Sequence, residues 1–256
     1  MAALDAVGGY RSLGAWGRER SPADAAHGVD LLVIATPDDV VADVAAAVRP
    51  VGSTAVVHLS GSLGLDVLAG HVRRGSLHPL VPLPNPAIGA VRLRSGTTFA
   101  VAGDGSARAM AEDLGGNVVE VGDADRAAYH AAAAIAANHL VALMGQVQRV
   151  AATAGLSLDA FAGLMRAAAE DALALGPRRA LTGPAVRGDW ETVERHRTAI
   201  ASMPAHRTEL AGYDAMVALA RRLSLDTAED VDPARTPGTG GPGSTDVPSV
   251  AAEQVA

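Results

Sequence analysis

The chain has 256 residues, room for one large domain or two ordinary ones, with 49% apolar and only 3% aromatic residues, so its core must be built from Ala, Val and Leu. It has no cysteine and all 21 basic residues are Arg. That excludes a disulfide framework, a thiolate zinc site and any acid/base or Schiff-base chemistry that runs on lysine. The net charge of −7 carries no basic stripe, so nucleic acid is not expected as a partner. No apolar run reads as long enough for a membrane span and no signal peptide opens the chain, so a cytoplasmic protein away from membranes is expected.

Residues 2–8, AALDAVG, read as the last turns of a helix closed by Gly8-Gly9. YRSLGAW (10–16) reads as a strand, and GRERSPADAA as the loop and helix start after it. VDLLVIATPDDVV is an unbroken apolar strand, stopped at Pro37, with Asp38 opening a helix. TAVVHLSGS and GSLHPLVPLP follow as two more strand-to-loop units. Short Val/Ile/Leu runs with polar residues at their C-terminal ends are the pattern of buried parallel strands. TTFAVAGD (97–104), SARAMAEDLGG (106–116) and NVVEVG (117–122) add a strand, a helix and a strand.

From residue 124 the pattern is helical only. Asp125 to Gly155 contains no proline and is apolar almost all round, so a buried central helix is expected. Ser157 can cap the next helix, which stops at Gly176-Pro177. The loop PRRALTGPAVRGD leads to a helix capped by Asp189, and a last helix covers about 205–223. Residues 224–256, rich in Pro, Gly, Ser, Thr and Asp, cannot bury a core and are expected to be disordered. The division expected is an α/β domain over 1–124, a helical domain over 125–223 and a tail over 224–256, with no internal repeat.

Four groups of residues carry candidate chemistry, and no metal cluster is among them. Thr36, Pro37, Asp38, Ser60, Gly61 and His78 end successive strands, the edge at which open α/β sheets bind ligands. Asp38 also reads as a plain N-cap and Ser60-Gly61 as a tight turn. His78 precedes a proline in an extended loop, which fixes its place and suits contact with substrate. His130 and Asn138, eight residues apart on the long helix, can border one cleft, with Arg126 on nearly the same side as His130. Asn138 among Ala, Ile, Leu and Val must find partners in the protein or a ligand, and His139 reads as a core-edge histidine. Thr182, Arg187 and Asp189 share a punctuated loop where Arg187 suits a carboxylate or phosphate, or a local Arg–Asp staple. In GRERS, Arg18, Arg20 and Ser21 suit a 2′-phosphate, or a solvated loop.

The combination of DLLVIATPDD, VVHLSGSLGLDVL, SLHPLVPLP, TFAVAGD, YHAAAAIAANHLVAL and ALTGPAVRGDW resembles a family of NAD(P)-dependent oxidoreductases that pair a Rossmann-like domain with a helical domain of unknown function. That family is similar to pyrroline-5-carboxylate reductases, prephenate dehydrogenases and 6-phosphogluconate dehydrogenase-like enzymes. The resemblance implies an α/β, Rossmann-like parallel sheet followed by an all-helical 6-phosphogluconate dehydrogenase-like domain. It implies NADP, or NAD, as cofactor and a homodimer built on the helical domain. A small polar metabolite is the implied substrate. The residues expected on that metabolite are His78, His130 and Asn138, with Ser60 and Arg187. Cofactor contacts are expected from Arg18, Arg20, Ser21, Thr36, Pro37, Asp38, Ser60 and Gly61. Prephenate dehydrogenases carry a His-Pro pair at the loop matching His78. Family members open with a strand and a G-x-G-x-x-G turn that holds the pyrophosphate. Here the chain begins inside the helix after that turn, so cofactor binding is expected to be weakened and an upstream extension of the gene is expected to supply the turn. The rival expectation is a non-catalytic binding or dimerisation protein derived from such a reductase.

Overall fold

The computed structural model describes residues 2–5, 8–17, 19–203 and 206–225; Arg18 and residues 226–256 lie outside them. Two compact units divide the chain, residues 1–145 and 146–256.

The first unit opens with helix α1 (Ala2–Asp5). The expected strand at 10–16 does not form: these residues are loop, and β1 (Leu31–Ile34) is an edge of the sheet. Gly8, Gly9 and Gly14 all take positive φ, which breaks an extended run, and Trp16 turns instead onto Ala25, Ala26 and Val48. After β1 come α2 (Asp38–Ala47), β2 (Ala55–His58), β3 (Arg73–Pro79), α3 (Pro86–Leu93), β4 (Thr98–Gly103), α4 (Gly105–Asp113) and β5 (Asn117–Glu120). The sheet order is β1-β2-β3-β4-β5, parallel at every pairing except β3 with β4, which is antiparallel.

Both faces of this sheet are covered, which is why β2 is buried at every position. Val57 points with Leu77, Phe99 and Val101 into a cluster closed by Ala107, Met110 and Ala111 of α4 and by Ala3 of α1. Val56 points the other way, with Ile34, onto Val41 and Ala45 of α2 and onto Leu68. The i, i+4 spacing of Val41 and Ala45 gives α2 its single buried stripe, and Asp38 and Asp39 in its first turn suit the positive end of the helix. Helix α3 was not expected. Its signals are Asn85, whose side chain accepts from Ile88 N–H, and Pro86 at the first helical position.

The long helix that follows is α5 (Arg126–Ala134), a π turn over Ile135–His139, and α6 (Leu140–Ala152); the division between units falls inside α6. It is not the buried central helix expected. Within the single chain only Arg126 and Ala151 along it are buried, and Ile135, Leu140 and Val141 are exposed. Its span, Asp123–Ala152, is also long and apolar enough to cross a membrane, contrary to the reading of the sequence.

The second unit carries α7 (Ala162–Leu175), α8 (Pro177–Ala180), α9 (Pro184–Arg187), α10 (Trp190–Ala201) and α11 (His206–Leu225). Asp189 caps α10 by accepting from Thr192 N–H at 3.1 Å, as expected. Ser157 stands at the N-cap position before α7 without a side-chain cap bond. Glu209 of α11 is buried, and it is held by Arg149 of α6, while Gln146 donates to the Glu209 carbonyl at 2.7 Å.

Candidate active site at the rim of the sheet

The C-terminal ends of β1, β2 and β3 lie side by side because the three strands are parallel. Each hands its next residues to the same rim. β1 delivers Thr36, Pro37 and Asp38; β2 delivers Ser60 to Gly64; β3 ends on His78-Pro79. Ser60 donates to the Asp38 carboxylate at 2.8 Å and accepts from the backbone N–H groups of Ser62 and Leu63, both at 3.1 Å. Ser62 donates to the same Asp38 oxygen at 2.7 Å. Asp38 is therefore the first residue of α2 and makes no cap bond; its carboxylate faces the hydroxyls of the next loop. Burial pushes its pKa up, but hydrogen bonds from Ser62 and Ser60, with His130 and His58 nearby, outweigh burial and hold it below the ordinary carboxylate value.

Helix α5 closes the rim. Its residues Arg126, Tyr129 and His130 stand at i, i+3 and i+4, so one face carries all three. Tyr129 Oη lies 2.6 Å from His78 Nδ1, and the two rings meet edge to face. The His130 ring sits 5.9 Å from that of His78. Gly61 runs directly beneath both. A Cβ at residue 61 would stand 2.7 Å from His130 Nδ1 and 2.8 Å from His78 Cε1, so only glycine fits. A Cβ at residue 64 would likewise stand 2.8 Å from the Asp123 carboxyl carbon, and Leu65 N–H donates to that carboxylate at 3.0 Å.

Arg126 is 2% exposed. It donates to the Ser60 carbonyl at 3.2 Å and to Ser76 Oγ, while Asp123, at 4.0 Å, is its nearest carboxylate. Its charge marks the surroundings. His58, fully buried, is pushed below the usual histidine pKa by burial and then by Arg126; the backbone of Gly64, with Asp38 and Asp123, opposes this less strongly. Neither His58 ring nitrogen reaches a partner with hydrogen-bond geometry. His78 is pushed down by burial, by His130 and by Arg126, against the pull of Asp38. Burial pushes the Tyr129 phenol up, opposed by Arg126. At neutral pH both imidazoles are therefore neutral and the phenol keeps its proton.

The expected site residues thus divide. Asp38, Ser60, Gly61, His78 and His130 come together, with Thr36 and Pro37 on the same rim. Asn138 does not have the buried place expected of it. It is exposed, in the π turn roughly 12 Å along the helix from His130, and its side chain makes no hydrogen bond among the described residues. The π turn breaks the 3.6-residue phase on which the expectation of a shared cleft was based. His139 is also exposed. Arg187 belongs to the second unit, is exposed and lies close enough to Asp189 to lower its pKa, after the hydrogen bonds from Thr192. Arg20 lies 3.7 Å over the Trp16 ring, and Ser21 caps the turn Pro22–Asp24. Arg126 as a buried cation and Tyr129 were not anticipated as site residues. The i, i+3, i+4 spacing of Arg126, Tyr129 and His130 was the available signal.

The rim suits the nicotinamide half of a dinucleotide: Thr36 Oγ1 is buried without a partner among the described residues, beside the exposed Ala35 and Pro37. Among the described residues, no glycine-rich turn opens a long helix to receive the pyrophosphate.

Residues 98–219 match a domain of unknown function, DUF2520. Protein TM1727 from Thermotoga maritima is similar in structure, with 26% sequence identity and a TM-score of 0.62 over 75% of this chain and 77% of that one. BF3122 from Bacteroides fragilis, provisionally named an NADP oxidoreductase, has 20% identity and a TM-score of 0.63 over 75% of each chain. The pyrroline carboxylate reductase of Plasmodium falciparum, solved with NADP bound, has 11% identity and a TM-score of 0.51 over 87% of this chain and 92% of that one. No curated protein matches the chain. The fold is that of Rossmann-like oxidoreductases with a helical C-terminal part, as the resemblance in sequence implied.

Proposed function

We propose that the chain is an NAD(P)H-dependent oxidoreductase acting on a small polar metabolite, with the chemistry at the rim of β1, β2 and β3. The observation that carries the reading is the convergence of His78, His130 and Tyr129 over Gly61, at the edge where an open α/β sheet takes its ligand. Thr36, Pro37, Asp38, Ser60 and Gly61 would hold the nicotinamide end, and Arg20 and Ser21 the 2′-phosphate of NADP. The cofactor would supply a hydride. The chain would supply the proton: His78 is half-buried and its Nε2 has no hydrogen-bond partner among the described residues, so it is free to meet a substrate heteroatom. Asn138 and Arg187 belong to this proposal as substrate contacts contributed from a second copy. A cytoplasmic location and a homodimer are part of the same reading. The exposed Ile135, Leu140 and Val141 are an apolar face that a second copy would cover.

Carbethoxylation followed by mass spectrometry tests the proposal. His78 and His130 should react in the free protein, and NADPH should protect both. Equal labelling with and without a saturating excess of NADPH and NADH would remove the rim as a nicotinamide site.

A further inference from the structure

We infer that Tyr129 and His78 form a proton relay that ends on the substrate at His78 Nε2, with Arg126 as the positioning residue that holds the relay in register. The inference rests on the reading of the rim as a reductase site and names the substrate class: a carbonyl or imine, whose heteroatom accepts from Nε2.

The geometry fixes the direction of the relay. Tyr129 Oη and His78 Nδ1 are 2.6 Å apart, a short contact for a neutral pair. A phenol is a far stronger acid than a neutral imidazole N–H, so the shared proton stays on Tyr129 and Nδ1 accepts it. That leaves the single imidazole proton on Nε2, the ring nitrogen without a hydrogen-bond partner among the described residues. A bound reduced nicotinamide would supply the hydride to the substrate carbon; the substrate oxygen or nitrogen takes the Nε2 proton while Nδ1 takes the proton of Tyr129 in the same movement, so that no imidazolate forms. The phenolate left behind lies in the field of Arg126, and half-exposed Tyr129 recovers its proton from water. One hydride and one proton are consumed for each carbonyl or imine reduced.

Arg126 has the means to hold this arrangement. Its guanidinium bridges Ser60, next to Gly61, and Ser76, two residues before His78, so it ties the β2 loop and β3 to the helix turn that bears Tyr129. Among the described residues its Nε is buried without a hydrogen-bond partner and no carboxylate lies closer than 4.0 Å. A buried cation so weakly paired costs folding energy. Its charge acts on the relay instead, keeping His78 neutral and favouring the phenolate when it forms. The other groups facing His78 are His130, Tyr129 and Asp38; only Asp38 pulls a proton toward it.

Long-range 1H–15N correlation spectra of the full chain, with 15N-labelled histidine and no nicotinamide present, test the relay. In the wild-type protein His78 should be the Nε2–H tautomer and titrate below the ordinary 6.5. Tyr129→Phe should populate both tautomers. Arg126→Met should raise the His78 midpoint, and Arg126→Lys should return it toward the wild-type value. The Nδ1–H tautomer in the wild type, or an unchanged tautomer in Tyr129→Phe, would overturn the relay. If Arg126→Met does not fold, Tyr129→Phe and Arg126→Lys still decide it. The expected tautomer in a protein that takes no nicotinamide would leave the relay standing and remove the reductase reading alone.

Discussion

Gly61 is the residue on which the rim depends most tightly. Two imidazoles from different elements lean on its backbone, so any side chain there must displace one of them. Gly61→Ala is expected to cost about 1–3 kcal/mol by overpacking and to pull His78 away from Tyr129. Urea unfolding checks the first effect and the His78 tautomer the second; a variant as stable as the wild type with an unchanged tautomer would mean that the contact is soft. The buried histidines also set a pH dependence. His58 and His78 have folded pKa values below the 6.5 of an unfolded histidine. As pH falls below that value the unfolded chain binds protons first, so stability is level above it and declines beneath it. Asp38 and Asp104, both held below the ordinary 3.8, give up their contribution only in stronger acid, Asp104 at about 2, where the hydrogen bonds from Arg73 hold it. The thermal midpoint should therefore drop between about pH 6.5 and pH 5, and His58→Leu should flatten the drop, because the fully buried imidazole is then no longer there to be protonated. A midpoint that does not change over this range would contradict the placement of His58.

At the level of elements, the strands were legible as continuous apolar runs: AVVH is buried at every position, and LLVI, at the edge of the sheet, is half-buried except at Ile34. The rim was legible because polar residues at the ends of parallel strands have only one place to go. The long helix was misread in its surroundings. Alanine-rich sequence fixes helicity, but apolar composition alone does not say whether the covering surface comes from the same chain. The π turn at Ile135–His139 has no residue signature, so the phase joining His130 to Asn138 could not be read. YRSLGAW failed as a strand because its Gly14 takes positive φ and its Trp16 found a nearer apolar surface. With only two phenylalanines in the chain, the core under α4 rests on one of them. Phe99 is fully buried between Leu77, Met110 and Leu114. Phe99→Ala should cost about 3–5 kcal/mol, read from chemical denaturation; a loss below 1 kcal/mol would show that the cluster collapses around the gap.

For the molecule as a whole, the exposed face of the long helix predicts association. Sedimentation should find a dimer at micromolar concentration, and Ile135→Asp with Val141→Asp should give a folded monomer. A wild-type monomer at that concentration would leave the face without the proposed cover. The most direct measurement of the central claim is a chemical-shift map of the full chain titrated with NADPH, which registers even millimolar binding. Shifts should centre on Thr36, Ser60, Gly61, His78 and Tyr129, and be larger with NADPH than with NADH. Binding that leaves these residues unmoved, or shifts gathered instead on α10 and α11, would contradict it.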